Sequence, residues 1–349
     1  MKKLLALFAM LLASTFFLSG CVGASISYGG EFWNKNPAGF SVIEETTVYD
    51  VKVVNTTPSY DAEFKNERLQ FDIETGSTYT VTLKGVLADV NYYVLETELI
   101  VKGKYVYGEN EIPVNDYLKT YTKFESRANG FTPIYSKRTT FNEATQTMHY
   151  NTSMYSYASG YVESNLRYEY EIIYEGKNAK SNLVYGAPIR DKDTLEIIDE
   201  QVIEESYSYN NYDGGAYIEN NLINFLPRAF NLKDEFYQQF TTFDVPTHEV
   251  KKMHYSVCKI TDAVSQQVYE GLTYNYVLNG ENQSDESGFQ TYRLFSAIDD
   301  TFTGAPIELY YASDATTHRH RLIKSYSALN DNMGFIEYTI KSVTLNEGI

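Results

Sequence analysis

The chain has little of what fixes a fold or a chemistry from sequence alone. Its 349 residues include 2 Cys, 1 Trp and 8 Pro. Two thiols cannot make a disulfide framework or a four-thiolate metal site, so neither device organises this protein. Positive charge is also scarce: 29 Lys and Arg stand against 46 Asp and Glu, a formal charge of −17 with a pI near 4.8. Nucleic acid demands clustered cations for its phosphates, and that class of partner is excluded. Catalytic signatures are missing too. There is no GxSxG elbow, no phosphate-binding loop and no dinucleotide fingerprint. These absences point away from an enzyme.

What is abundant is aromatic. The 33 Tyr and 19 Phe, set against so few prolines, are the usage of long pleated strands. A hydrophobic fraction of 43% in this length supports one large or two ordinary domains. From Phe40 onward apolar residues alternate with polar ones, and the pattern predicts strands over 47–54, 69–73, 79–83 and 91–101 in a first block. Strands over 131–141, 148–157, 166–174 and 182–185 continue it to about residue 190. Turns with Gly or Asn separate them, as at Gly108-Glu109-Asn110 and Glu175-Gly176-Lys177-Asn178. A further block predicts strands over 272–278, 290–296, 307–311, 320–327 and 335–345. Within 166–174, Tyr168, Tyr170, Ile172 and Tyr174 share one face, which reads as a half-buried antiparallel sheet. The expected fold is mainly β: a large curved antiparallel sheet, half-barrel-like, with a short helical insertion.

The insertion is expected over 216–243, where the alternation stops. Leu222, Phe225, Leu226, Phe230, Phe236, Tyr237 and Phe240 fall at helix-like spacing, and Pro227 divides the stretch into two short helices. Asn231 is positioned to cap the second, with Asp234 and Glu235 in its first turn. Such an insertion in a curved sheet is a core plug or a lid. Metal and acid–base chemistry have weak footholds. His248-Glu249-Val250-Lys251-Lys252 begins like a zincin helix, but Lys252 occupies the place of the second His. His248, His254 and Cys258, or His318 with His320, are thin metal candidates. His318 to Arg321 reads more simply as a local basic stretch, and Cys258 as a small strand residue. No metal and no cofactor are expected. Acidic pairs such as Glu204-Glu205 arise by chance among 46 acids.

The amino terminus carries an address. Lys2 and Lys3 precede an apolar run from Leu4 to Leu18 of about 15 residues, shorter than the roughly 20 that span a bilayer. It reads as a cleaved leader. Leu18-Ser19-Gly20-Cys21 then resembles the lipobox of bacterial lipoproteins. That resemblance implies cleavage before Cys21 and a diacylglyceryl thioether on its sulfur, with the mature chain held on the extracytoplasmic face of a bacterial membrane. Two or three acyl chains, at about 0.8 kcal/mol per buried CH₂, anchor a domain almost irreversibly. Residues 1–20 are thus expected to be a signal peptide and 21–39, rich in Gly, Ser and Asn, a tether. Two β regions, 40–190 and 191–349, follow and can form one continuous sheet.

The second half also has a likeness. Gly304-Ala305-Pro306 before a Tyr-rich strand, and the late strand led by Gly334, are similar to bacterial envelope families grouped with the Lol-type lipoprotein carriers. There a curved antiparallel sheet forms an open half-barrel around an apolar cavity closed by helices. The likeness implies a cavity for an amphipathic or hydrophobic ligand, with Leu222, Phe225, Leu226, Phe230 and Phe236 lining or closing it. The same side chains can instead be ordinary core. An alternative function uses exposed Tyr as a platform for polysaccharide or protein. A hydrolase with an unrecognised pair of carboxylates is the third.

Overall fold

Period-two patterning produces strands almost throughout. The computed structural model describes residues 42–54, 70–85, 92–127, 130–142, 148–153, 156–162, 167–176, 178–192, 197–209, 219–229, 236–259, 275–278, 281–284, 289–298, 307–314, 320–329 and 334–347. Cys21 and the tether, Phe230, the Asn231 cap, His318 and the Gly304-Ala305-Pro306 turn lie outside them. The strands are, in order, β1 (Val42–Val54), β2 (Gln70–Ile73), β3 (Thr78–Gly85), β4 (Tyr92–Tyr107), β5 (Asn110–Arg127), β6 (Gly130–Asn142), β7 (Met148–Ser153), β8 (Ser156–Val162), β9 (Arg167–Glu175), β10 (Asn178–Arg190) and β11 (Ile197–Tyr209). Then come β12 (Phe236–Asp244), β13 (Glu249–Lys259), β14 (Asn275–Leu278), β15 (Glu281–Ser284), β16 (Phe289–Ile298), β17 (Ile307–Asp314), β18 (His320–Ala328) and β19 (Phe335–Glu347).

Seventeen of these share one sheet, and β7 with β8 forms a separate hairpin. Hydrogen-bonded neighbours run β11-β10-β9-β6-β5-β4-β3-β1, all antiparallel. From β1 the ladder continues through β19, β18, β17, β16 and β13 to β12. The first and last blocks of the chain therefore meet in the middle of one sheet, where β1 pairs β19 over most of its length. The one parallel pairing in the sheet among the described residues is β14 beside β19. The expected large antiparallel sheet is what forms.

The sheet curls without closing. Register carries one inward face from Tyr49 through Leu83, Leu95, Phe124 and Ser136 to Tyr170, Leu183 and Tyr209, each directly opposite or on the same pleat as its neighbour. No ladder joins β11 to β12 among the described residues. The two ends overlap instead. Phe240 and Phe243 lie on opposite faces of β12; Phe240 enters the main core and Phe243 joins the inward face of β9–β11 with Tyr170, Leu183 and Tyr209. The Tyr209 and Phe243 rings are 4.3 Å apart. At the β12–β13 turn, His248 stacks on Tyr207 with ring centroids 3.4 Å apart, and its Nε2 donates to Oε2 of Glu205 at 3.0 Å. The half-barrel is thus fastened by side chains where a closed barrel would use backbone hydrogen bonds.

The segment 219–229 fills the concave side. It consists of two 3₁₀ turns, Asn220–Leu222 and Leu226–Ala229, with Pro227 inside the second. The expected second helix does not exist: Phe236–Asp244 is strand β12, paired without a break to β13. The spacings of four and three among Phe236, Phe240 and Phe243 mimic a helix because both faces of β12 are apolar. Leu222, Ile223, Phe225 and Leu226 are buried in the largest cluster, with Leu95, Phe124, Met253 and Leu309. Each fully buried aliphatic of this kind contributes about 1.5–3 kcal/mol. No helix among the described residues is long and apolar enough to cross a membrane.

Candidate functional site

The plug is held by polar latches as well as by packing. Its backbone is short of internal hydrogen bonds, and buried carbonyls need donors. Two tyrosines supply them: Tyr255 on β13 donates to the Ile223 carbonyl at 2.7 Å, and Tyr311 on β17 to the Asn224 carbonyl at 2.6 Å. At the amino end, Glu219 caps the first turn, its carboxylate accepting from the Asn221 amide at 2.6 Å. Thr122 on β5 donates to the same oxygen at 3.4 Å, and the Asn221 side chain donates to Ser136 on β6 at 2.8 Å. Burial pushes the Glu219 carboxyl up to about 7, against the hydrogen bonds from Asn221, Ser136 and Thr122 and the charge of Arg138, which lower it. The Phe225 ring stacks on Phe131 with centroids 5.6 Å apart.

At the carboxyl end a charge is buried. Arg228 forms a fork on Glu45 of β1, Nη1 to Oε1 at 2.7 Å and Nη2 to Oε2 at 3.1 Å, and both side chains are almost wholly out of solvent. Arg321 of β18 brings a second guanidinium to the same carboxylate, Nε to Oε2 at 3.9 Å, and is 3% exposed. It arrives there where the β17–β18 ladder slips by one residue at Ile323, since Tyr310 faces Lys324 but Tyr311 faces Leu322. A slip of this kind re-aims the side chains beyond it, and both Arg321 and Leu322 line the same cleft.

That cleft opens between the plug and the sheet. Glu45, Tyr49 and Tyr79 form one wall, and Asn224, Phe225 and Arg228 of the plug form the opposite one. Its space is about 400 Å³ when the part open to solvent is counted, and about 20 Å³ when only positions a water can occupy are counted. By that measure it admits a water or two. Tyr49 donates to the Leu322 carbonyl at 2.9 Å, and burial raises its hydroxyl far above the usual phenol range. The tyrosines here are fixed donors, not acids.

The sequence-singled residues distribute unevenly. Leu222 and Leu226 sit in the core, 0% and 3% exposed, and Phe225 lines the cleft. Phe236 opens β12. His248 lies at a hairpin turn with β13 starting at Glu249, so the His-Glu dipeptide is not on a helix. His254 is buried in β13 and His320 is buried at the start of β18, 6.5 Å from the Tyr292 ring. Among the described residues no three His, Cys, Asp or Glu gather as a metal site. Glu45, Arg228 and Arg321 escaped the sequence reading. The available signal was Arg228, a lone charge within the apolar run Phe225-Leu226-Pro227-Arg228-Ala229-Phe230.

Comparison with known proteins adds little. No family model and no curated protein matches the chain. Among solved structures, it is similar to a β-barrel-like protein of the domain of unknown function DUF1849 from Brucella abortus. The identity is 11%, the alignment covers 87% of this chain and 98% of that one, and the TM-score is 0.43.

Proposed function

We propose that this protein is a non-enzymatic lipoprotein of a bacterial envelope, tethered through Cys21, whose half-barrel binds a small amphipathic ligand at the cleft beside the plug. The observation that carries the ligand reading is the cleft itself. A sheet that only needed a core would close apolar surface over the plug, whereas here three buried charged side chains line an opening to solvent. The Leu18-Ser19-Gly20-Cys21 sequence after an apolar leader supports the anchor. The rival reading, a platform of exposed Tyr, finds no support in the described tyrosines, whose side chains are buried or half-buried.

Two experiments test the parts separately. Labelled palmitate should enter the wild-type protein and not Cys21→Ala; label in the variant removes the anchor. Native mass spectrometry of the detergent-extracted protein should reveal a bound molecule. A clean apo mass from folded protein favours surface recognition instead.

A further inference from the structure

We infer that the β10–β11 ribbon is a docking arm, whose open β11 edge takes up an extended basic segment of a partner protein as an added strand. The inference does not rest on the cleft, which is lined from β1, β3, β4, β18 and the plug.

The ribbon outruns the sheet. β9 pairs β10 over 178–185, whereas β11 follows β10 on to Arg190. Among the described residues, 186–190 pairs with β11 alone and β11 pairs with β10 alone. The seam holds β11 at its carboxyl end, where Glu205 and Tyr207 meet His248 and Tyr209 meets Phe243. Upstream of the seam 198–202 is exposed at every position, so neither face of the strand is covered there. A strand paired on one side offers a row of amides and carbonyls that another chain can complete. Pro188, restricted by its missing amide to an edge, interrupts the β10 side, which leaves β11 as the edge on offer. Two strands alone are marginally stable, and a third adds order as well as hydrogen bonds.

The side chains define the partner. Ile198 and Val202 are 64% and 65% exposed, and Val184 shares the outward face with Val202 and Glu204. Glu200 leans back over Gly186, where a Cβ would lie 1.4 Å from its carboxylate oxygen, and so leaves Val202 uncovered. Between these apolar residues β11 carries Asp199, Glu200, Glu204 and Glu205 and no Lys or Arg. A second copy fits badly: an antiparallel β11 centred on Val202 sets Asp199 opposite Glu205 and Glu200 opposite Glu204, and like charges opposite each other repel. An extended segment with Lys opposite the acids and β-branched residues opposite Ile198 and Val202 satisfies backbone, charge and apolar surface together.

The test uses the full mature protein in a non-ionic detergent and the labelled peptide Lys-Val-Val-Thr-Lys-Lys-Val, which matches 198–204 in antiparallel order. Two controls replace every Lys by Glu, or Val-Val by Pro-Pro with the charge kept. By fluorescence anisotropy the Lys peptide should bind about tenfold more tightly than either control, since Pro cannot join a ladder. It should also slow amide exchange over 198–204 and leave β16 and β17 unchanged. The exposed double variant Glu200→Lys with Glu204→Lys should prefer the Glu peptide. Equal binding of the Lys and Pro peptides reduces the effect to charge attraction and overturns the inference, whether or not the double variant folds. Absence of peptide binding, or of slowed exchange over 198–204, overturns it too. So does a concentration-dependent dimer that slows exchange over 198–204 without peptide, because the edge then belongs to a second copy.

Discussion

Arg228 and Glu45 lie 183 residues apart in the chain and meet in two parallel hydrogen bonds, at 2.7 and 3.1 Å, between the plug and β1. The pair ties the insertion to the strand at the centre of the sheet. Removing one member leaves the other charge buried beside Arg321, at a cost of about 3–5 kcal/mol. Urea unfolding should therefore place Arg228→Met and Glu45→Gln well below the wild type. The double variant Glu45→Gln with Arg228→Met should lose less than the sum of the singles, because neither member of the fork then faces an absent partner and only the longer contact from Arg321 to Glu45 is lost. Additive losses would show that the two side chains do not act as a pair.

Glu219 gives the plug a pH dependence of a definite sign. Burial raises its folded-state carboxyl to about 7 from an ordinary 4.5, so the folded protein holds this proton more tightly than the unfolded chain. The stabilisation is fully present below pH 4.5 and disappears as pH rises through about 7. A shift of this size corresponds to about 3 kcal/mol. Urea midpoints should fall between pH 5 and 8 in the wild type, and Glu219→Gln should flatten that slope. An unchanged slope in the variant would move the cause elsewhere.

Glu337 works in the opposite direction on the outer face. Burial raises its carboxyl, but hydrogen bonds from Lys52, Lys324, Tyr326 and Thr339 outweigh that and hold it at about 2. Its contribution is present above about pH 4.5 and is lost as pH falls toward 2. Glu337→Gln should remove an acid-limb loss of stability that Glu219→Gln leaves intact. The two windows do not overlap, so one pH series of both variants separates them.

The seam depends on a residue in an unusual backbone state. His248 has φ 58°, a left-handed conformation that favours Gly and admits His more readily than β-branched residues. Its ring is the part that reaches across to Tyr207 and Glu205. His248→Gly relieves the backbone and loses the fastening; His248→Ala loses the fastening and keeps the strain. Alanine should thus be the more destabilising by about 1 kcal/mol. Both should raise amide exchange in 205–209 and at the β12–β13 turn. Unchanged exchange there would mean that Phe243 against Tyr209 holds the overlap alone.

Most of the sheet was legible because its strands alternate. Tyr168, Tyr170 and Ile172 share a face in sequence and share the inward face in space. β5 was harder to read. Pro113 and Asp116 interrupt the pattern, yet Pro113 sits where, among the described residues, β5 pairs with β4 alone, since β6 begins its pairing at Asp116. A missing amide costs little on such a one-sided stretch. β12 was misread for the reverse reason: with Phe240 and Phe243 buried on opposite faces, no alternation survives. The cleft was almost invisible in the sequence. Glu45 follows another acid, Arg321 stands among His and Arg, and what unites them is a register that places β1 and β18 on either side of β19.

Leu222 separates the two meanings of the insertion. It is 0% exposed and packs in the main cluster with Phe225 and Leu226, while the Tyr255 and Tyr311 hydroxyls fix the backbone on its carboxyl side. If the segment is a core plug, Leu222→Ala leaves a void that the latched backbone cannot collapse to fill, and the loss is about 2–5 kcal/mol. Native mass spectrometry should then show the same bound molecule as in the wild type at temperatures where the variant is folded, because Leu222 does not line the cleft. A mobile lid behaves differently: truncation of its apolar face costs little stability and shifts ligand affinity. Chemical unfolding and native mass spectrometry of the same Leu222→Ala sample decide between them. The latches at Ile223 and Asn224 predict the first outcome, with Leu222, Phe225 and Leu226 packed as core beneath the sheet.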